Sequence, residues 1–442
     1  MTNLQTVLSQ KLTDALAGPL GSGTRRDTRL PPHHGKAAVV IGVRRAGKTT
    51  WLRQQLQARL EAGRPRVGLV MIGLEDDRLT GMTTADLDWL LEELFRRHPA
   101  LRATGEVTLC LDEIQVVPEW ERFVRRVLDT ERIEVLLSGS SAKLLSREVA
   151  TSLRGRGVEV LMHPFSFREV LRHRLEEPTG TWQQQNAAGR SRLDHRLRSY
   201  LERGGFAEAQ SLDTLDRVQL LRGYVDVVVL RDVIERHAVS NPTALRWLQR
   251  ELLGTPAGLF SISKLFQVMK SQGIAVGKDT LHAYLDHLED SFLVRTVWMH
   301  STSERQRMVN PRKVYPIDPG LIAIFERAGR PQTGHALETV VMLELERRGY
   351  DVSYVRTAEG HEVDFFATHP ALEPLLVQVA AQTGAAATLD REVRSLDEAS
   401  AAHREATALL LTMDARAPLA DLPAGVRWMP ATSWLLGEVG TS

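Results

Sequence analysis

The run Gly42-Val43-Arg44-Arg45-Ala46-Gly47-Lys48-Thr49 has the spacing G-x-x-x-x-G-K-T, directly after an apolar stretch and at the head of a helical one. In that context it is a loop that can cradle the phosphates of a nucleoside triphosphate. The glycines let the backbone wrap with its N–H groups inward, and the helix N-terminus adds partial positive charge. Lys48 would reach the β- and γ-phosphates and the Thr49 hydroxyl would ligate Mg²⁺, with Arg44, Arg45, Ala46 and Thr50 completing the loop. Farther on, Leu109-Cys110-Leu111-Asp112-Glu113 is an apolar run ending in two acids. Asp112 would hold the Mg²⁺, and Glu113 would orient or deprotonate an attacking water. A third apolar run ends in Ser138-Gly139-Ser140-Ser141. A hydroxyl there would lie between the water and the γ-phosphate, Ser140 as first choice and Ser138 as second. The residues thus spell ATP binding and hydrolysis.

Two arginines follow, in Leu153-Arg154-Gly155-Arg156-Gly157. They have two readings. Either they cap a helix C-terminus, where a cation is favoured by about 0.3–1 kcal/mol, or one of them is an arginine finger presented to a neighbouring subunit's ATP.

These groups need a scaffold that brings strand ends together. From Ala37 to about Phe165, short apolar runs alternate with amphipathic helices: AAVVIGV, RVGLVMIGL, VTLCLDEI, IEVLLSGS and VEVLMHPFS are the strands. That alternation specifies an α/β fold with a parallel sheet covered on both faces. Residues 1–34 read as a lead-in segment, 35–165 as the ATPase core and 166–240 as a helical lid, interrupted by an exposed loop from Glu176 to Arg192. Residues 241–330 combine helices with strand-like FLVRTVWMH and KVYPID, and 331–442 return to α/β texture. The stretch from Gln382 to Thr407 is rich in Ala and Thr and reads as a tail without assigned structure. His33 and His34 read as a solvated turn.

Composition bounds the rest. A chain of 442 residues exceeds what one core serves. A net charge of +1 excludes a histone-like polycation, and a single cysteine excludes a disulfide framework and a Cys-based zinc site. No apolar run approaches the roughly 20 residues of a membrane helix, and the first residues lack a secretory pattern. The expectation is a soluble, cytoplasmic protein.

In this order the motifs resemble the AAA-type P-loop ATPases of archaea and bacteria known simply as "ATP-binding protein", in which the ATPase is fused to a C-terminal domain of unknown function. GVRRAGKTT, LDEIQVVPEWERFVRRVLD, SGSSAKLLSREVATSLRGR, HPFSFREVL, YLERGGFAEA, YVDVVVLRDVIERH, KVYPIDPGL and LETVVMLELERRG…EVDFF carry the resemblance, from about Gly35 to Gln382. It implies that Lys48, Thr49, Asp112 and Glu113 form the ATP site, that Ser140 is the sensor, and that Arg154 or Arg156 is the finger. It also implies that Gly204-Gly205-Phe206 falls near a second nucleotide sensor, and that the C-terminal part is a winged helix followed by a restriction-endonuclease-like α/β fold.

Residues test that last implication. Such a nuclease needs a helix acid, an Asp at a hairpin and Glu-x-Lys on the next strand. Here Glu338 and Asp364 are present, but the strand reads Leu375-Leu376-Val377-Gln378-Val379-Ala380, with Gln378 for the Glu and Ala380 for the Lys. The domain therefore reads as catalytically dead, with Glu362 the only nearby acid to compensate. In the winged-helix stretch, Lys278, His282 and His287 face Asp279, Asp286, Glu289 and Asp290, an acidic balance unsuited to phosphate, while Leu281, Tyr284, Leu285 and Leu288 read as core. Arg305, Arg307, Arg312 and Lys313 lie in the expected wing and would contact DNA phosphates without reading sequence; packing against a protein is the alternative. Arg190, Arg192, Arg196, Arg198 and Arg203 read as a solvated helix face.

The expectation is an AAA-type ATPase with ATP and Mg²⁺ as cofactors. It would work as a homo-oligomeric ring of about six, because a finger in trans needs a neighbour. It would act on duplex or branched DNA by branch migration or translocation. The rivals are a nucleotide-gated signalling or defence switch that recruits a protein partner, and an ATP-licensed nuclease.

Overall fold

The five apolar runs of the first third pair side by side, all parallel. They are β1 (Ala37–Ile41), β2 (Leu69–Gly73), β3 (Val107–Asp112), β4 (Ile133–Gly139) and β5 (Gly157–Leu161), in the order β2-β3-β4-β1-β5. Every residue of β1 and β3 is buried, as a sheet covered on both faces demands. The computed structural model describes residues 3–21, 23–139, 153, 155–326, 332–381, 386–414 and 422–437.

The chain divides into two units, Met1–His163 and Pro164–Ser442. In the first, the lead-in segment joins the helical layer. Helix Asn3–Ala17 buries Leu8 and Leu12, Lys11 pairs with Asp76 at 2.7 Å, and Arg97 donates to the Ser9 hydroxyl at 2.6 Å. Helix Lys48–Glu61 follows the phosphate loop and buries Trp51, Leu52 and Leu56. Because β1 lies between β4 and β5 while the chain runs on to β2, the connections diverge there. They open a crevice at the carboxyl ends of the strands.

The second unit is built on an eight-stranded mixed sheet. Its strands are β6 (Leu259–Phe260), β7 (Val294–Met299), β8 (Arg312–Pro316), β9 (Asp351–Arg356), β10 (Glu362–His369), β11 (Leu372–Ala380), β12 (Thr407–Thr412) and β13 (Val426–Pro430). Their order is β13-β12-β11-β10-β9-β7-β8-β6. Trp298 of β7 sits opposite Ser353 of β9 in parallel pairing, so one sheet runs across position 330. Helices Ile262–Ser271 and Lys278–Asp290 bury the stripe Leu281, Tyr284, Leu285 and Leu288.

Two stretches differ from the sequence expectation. The loop after Glu176 ends sooner, because Asn186 caps helix Ala187–Arg203 by accepting from the Gly189 N–H at 2.8 Å. The Ala-rich stretch after Gln382 carries helix Ala386–Ala402, whose Leu389, Val393 and Leu396 pack on Val363, Phe366, Leu376 and Leu410. Its three large apolar residues have helical spacing, but the surrounding alanines blur the period.

The Gly204-Gly205-Phe206 run has a structural explanation inside this unit. The fully buried Asp318 carboxylate accepts from Gly205 N–H at 2.5 Å and Gly320 N–H at 2.9 Å. Phe165 N–H donates to the Gly205 carbonyl at 2.8 Å. Gly204 has φ +77°, and a Cβ there would stand 1.8 Å from Asp318 Oδ1. Gly204→Ala should therefore cost about 2–4 kcal/mol, combining left-handed strain with overpacking of a buried site. A urea midpoint unchanged from wild type would refute this account.

Candidate nucleotide-binding site

At the carboxyl end of β1 the chain turns so tightly that a Cβ on Gly42, at φ +151°, would lie 2.1 Å from the Met162 carbonyl oxygen. Only glycine fits that approach. Lys48 begins the following helix and is buried, its ammonium donating to the carbonyls of Gly42 at 2.9 Å and Val43 at 3.2 Å. Those bonds hold the charge at the centre of the loop. One residue on, Thr49 Oγ1 donates to Asp112 Oδ2 at 2.8 Å, joining the loop to the end of β3.

The second strand end is fixed from β4. The fully buried Ser138 hydroxyl donates to Asp112 Oδ1 and accepts the Glu113 N–H at 3.0 Å. Asp112 is thus held through both oxygens. Glu113 adopts a left-handed backbone, φ +57°, which turns it out of the strand line, and its carboxylate accepts from Gln115 Nε2. Cys110, earlier on the same strand, has its thiol pushed well up by burial and stays protonated. Thr49 and Asp112 offer the paired hard oxygens that Mg²⁺ prefers. They fit the metal and would hold it, where it would offset phosphate charge.

The structure therefore brings Gly42, Gly47, Lys48, Thr49, Asp112, Glu113 and Ser138 to one crevice. Ala46 is buried in the loop, Arg45 and Thr50 are exposed, and Arg44 turns to Glu75 at 3.3 Å. Ser140 and Arg154 lie outside the described residues. Arg156 precedes β5, pairs with Asp129 at the surface, and sits at the amino edge of the sheet. Five strand residues at about 3.3 Å each separate it from the carboxyl edge, so it does not reach its own crevice.

Arg26, Gln115 and the clamp role of Ser138 are additions that sequence spacing does not reveal. Arg26, from the lead-in segment, is buried and donates to the carbonyls of Ala46 at 2.7 Å and His163 at 2.6 Å. It braces the loop from outside.

In the second unit, the expected wing contains a short helix, Glu304–Val309, with no buried residue. Arg305 and Arg307 are exposed there, whereas Arg312 is half-buried and stacks 3.6 Å over the Trp298 ring. Lys313 corrects the expectation. It is 2 % exposed, and its ammonium lies among Glu338 (3.0 Å), Glu362 (2.7 Å) and Asp364 (3.1 Å). It cannot meet a DNA phosphate. Successive strand residues point to opposite faces, so Arg312 meets Trp298 while Lys313 enters the core.

Comparison with known proteins gives a family context. Residues 34–171 match an AAA domain, and residues 194–332 match a domain of unknown function, DUF8612. The chain is 30% identical over 345 residues to an uncharacterized protein of Methanocaldococcus jannaschii, MJ1544, covering 77% of this chain and 74% of that one. An uncharacterized Haemophilus influenzae protein is 30% identical over 346 residues, covering 77% and 82%. Among solved structures, the Aeropyrum pernix Orc1 protein in complex with DNA is 16% identical, covering 73% of this chain and 91% of that chain with a TM-score of 0.28. That overlay is too loose to argue from. Among the described residues no helix is long and apolar enough to cross a membrane.

Proposed function

We propose that this chain, which belongs to the same family as the uncharacterized MJ1544 protein and carries an AAA domain, hydrolyses ATP as a ring oligomer and uses the cycle to bind or remodel DNA. The observation that carries the ATPase reading is the joined geometry of Thr49, Asp112 and Ser138, with Lys48 seated in the loop and Glu113 beside them. Lys48 and the loop N–H groups bind phosphate, Asp112 and Thr49 serve Mg²⁺, and Glu113 takes the proton of the attacking water. Ser140 serves as sensor, and Arg154 or Arg156 completes a neighbour's site. The amino-edge position of Arg156, away from its own crevice, supports action in trans over action on its own ATP.

Residues 35–165 act as the ATPase core, 166–240 as lid, 241–330 as winged helix and 331–442 as a nuclease-like domain without cutting activity. The exposed Arg305 and Arg307 support sequence-independent contact with DNA phosphates. A second reading, a nucleotide-gated switch that recruits a protein, is supported by the exposed Met308 and Val309 on the same short helix.

Steady-state ATP hydrolysis at low salt, alone and with linear duplex or a four-way junction, separates the two. Several-fold stimulation by DNA, lost in Arg305→Ala/Arg307→Ala, is the expected result. A slow rate indifferent to nucleic acid would favour the switch.

A further inference from the structure

We infer that the acidic pocket against β10 and β11 is a cation site that the chain fills with its own N–H groups, Lys313 and Gln378, so that no divalent metal enters it. The pocket gathers Glu338 from helix Thr333–Arg347, Glu362 and Asp364 from β10, Gln378 from β11 and Glu392 from helix Ala386–Ala402. A metal-dependent nuclease would draw its acids from a helix and two adjacent strands; here they come from two helices and β10 alone, and β11 offers an amide. Asp364 and Glu392 are engaged through both oxygens, and Glu338 and Glu362 through one each.

Lys313 Nζ has three N–H donors, and it meets three carboxylates: Glu338 at 3.0 Å, Asp364 at 3.1 Å and Glu362 at 2.7 Å. The Gln378 amide has two N–H donors. They bridge Asp364 Oδ2 at 3.0 Å and Glu392 Oε2 at 2.5 Å, a position where glutamate would add a ligand and a negative charge. Val379 N–H donates to the same Asp364 oxygen at 3.0 Å, and the Tyr315 hydroxyl donates to Glu338 at 2.7 Å. A divalent ion wants about six oxygens at 2.0–2.6 Å with free lone pairs. Among the described residues no group of three or more His, Cys, Asp or Glu is placed to hold one.

The protonation balance agrees. Burial would lower the Lys313 pKa, but the surrounding Tyr315, Asp364, Glu338 and Glu362 raise it well above its usual value, so the ammonium stays charged. Burial and the neighbouring Asp364 push the Glu338 carboxyl up, against the opposing pull of Lys313 and Tyr315. The lysine missing at position 380 is thus replaced by one from β8. Being 2 % exposed, it serves as a fixed counter-ion, not as a group that can reach a phosphodiester.

The inference does not depend on what the first unit does with nucleotide. Its test is Mn²⁺ binding to the full-length chain, with Mn²⁺ alone as probe, measured by calorimetry and thermal unfolding. Wild type and Asp364→Asn should bind identically. Lys313→Met should unfold several degrees lower, gain one Mn²⁺ per chain with recovery of the lost stability, and lose that ion again when Asp364→Asn is added. If Lys313→Met does not fold alone, Lys313→Met/Gln378→Glu decides: with the ammonium gone and a further carboxylate in place, it should bind Mn²⁺ that Asp364→Asn abolishes. A wild-type Mn²⁺ site removed by Asp364→Asn would overturn the inference. So would a folded Lys313→Met, or failing that Lys313→Met/Gln378→Glu refolded with Mn²⁺, that gains no ion.

Discussion

Glu113→Gln will lower ATP turnover by about 10²–10⁴-fold, the range that a positioned general base contributes, and will leave nucleotide affinity within a few-fold of wild type. The amide has the carboxylate's shape but cannot take a proton. Nothing that holds phosphate changes, because Lys48 stays bonded to the Gly42 and Val43 carbonyls and Thr49 to Asp112. The backbone anchor survives as well, since the contact to the Ser138 hydroxyl is made by the residue 113 N–H. Single-turnover hydrolysis and titration of a fluorescent nucleotide separate chemistry from binding. Turnover within two-fold of wild type would remove Glu113 from the reaction, and a parallel collapse of affinity would make it a structural residue.

What the sequence announces and what it hides follow from locality. Gly42 to Thr49 is one continuous strand–loop–helix passage, so its spacing alone carries the chemistry. Asp112 and Glu113 are legible because an apolar strand must end where the sheet meets solvent. The stripe from Leu281 to Leu288 is legible by its helical period. Arg26 is not, because its partners, the carbonyls of Ala46 and His163, come from distant chain segments. Lys313 misleads for a related reason. A count of cations between Ser301 and Lys313 treats them as one surface, whereas β8 sends Arg312 and Lys313 to opposite faces and the acids awaiting Lys313 arrive from later in the chain. His33 misleads in the same way, since a turn that looks solvated meets Glu134 of β4.

That last contact makes Glu134 a residue whose loss should strongly destabilise the first unit. Its mostly buried carboxylate accepts from Arg59 through two nitrogens, from Thr108 Oγ1 at 2.9 Å and from His33 Nε2 at 2.9 Å, with Arg64 at 3.4 Å. The other ring nitrogen of His33 faces the Pro31 carbonyl at 3.0 Å. The bond to Glu134 raises the His33 pKa despite burial, and the Pro31 carbonyl before the other nitrogen adds to it. Burial alone would push Glu134 up, but the bonds from Arg59 and His33 outweigh it and hold the carboxyl well below its usual range. Glu134→Gln keeps the shape, removes the charge and leaves Arg59 mostly buried without its counter-ion. The expected loss is about 3–5 kcal/mol, as for other buried pairs broken on one side. The pH dependence carries the sign. A depressed carboxyl stabilises fully above its ordinary value of 4.5 and less as pH falls. A raised histidine stabilises fully below its ordinary 6.5 and less as pH climbs through the raised value. The wild-type network is therefore strongest between those two values, and Glu134→Gln should flatten both limbs, because the carboxylate is gone and His33 has lost the partner that raised it. Urea unfolding from pH 4 to 8 measures this directly. A variant that keeps the wild-type pH slope would mean that the network contributes packing and not charge.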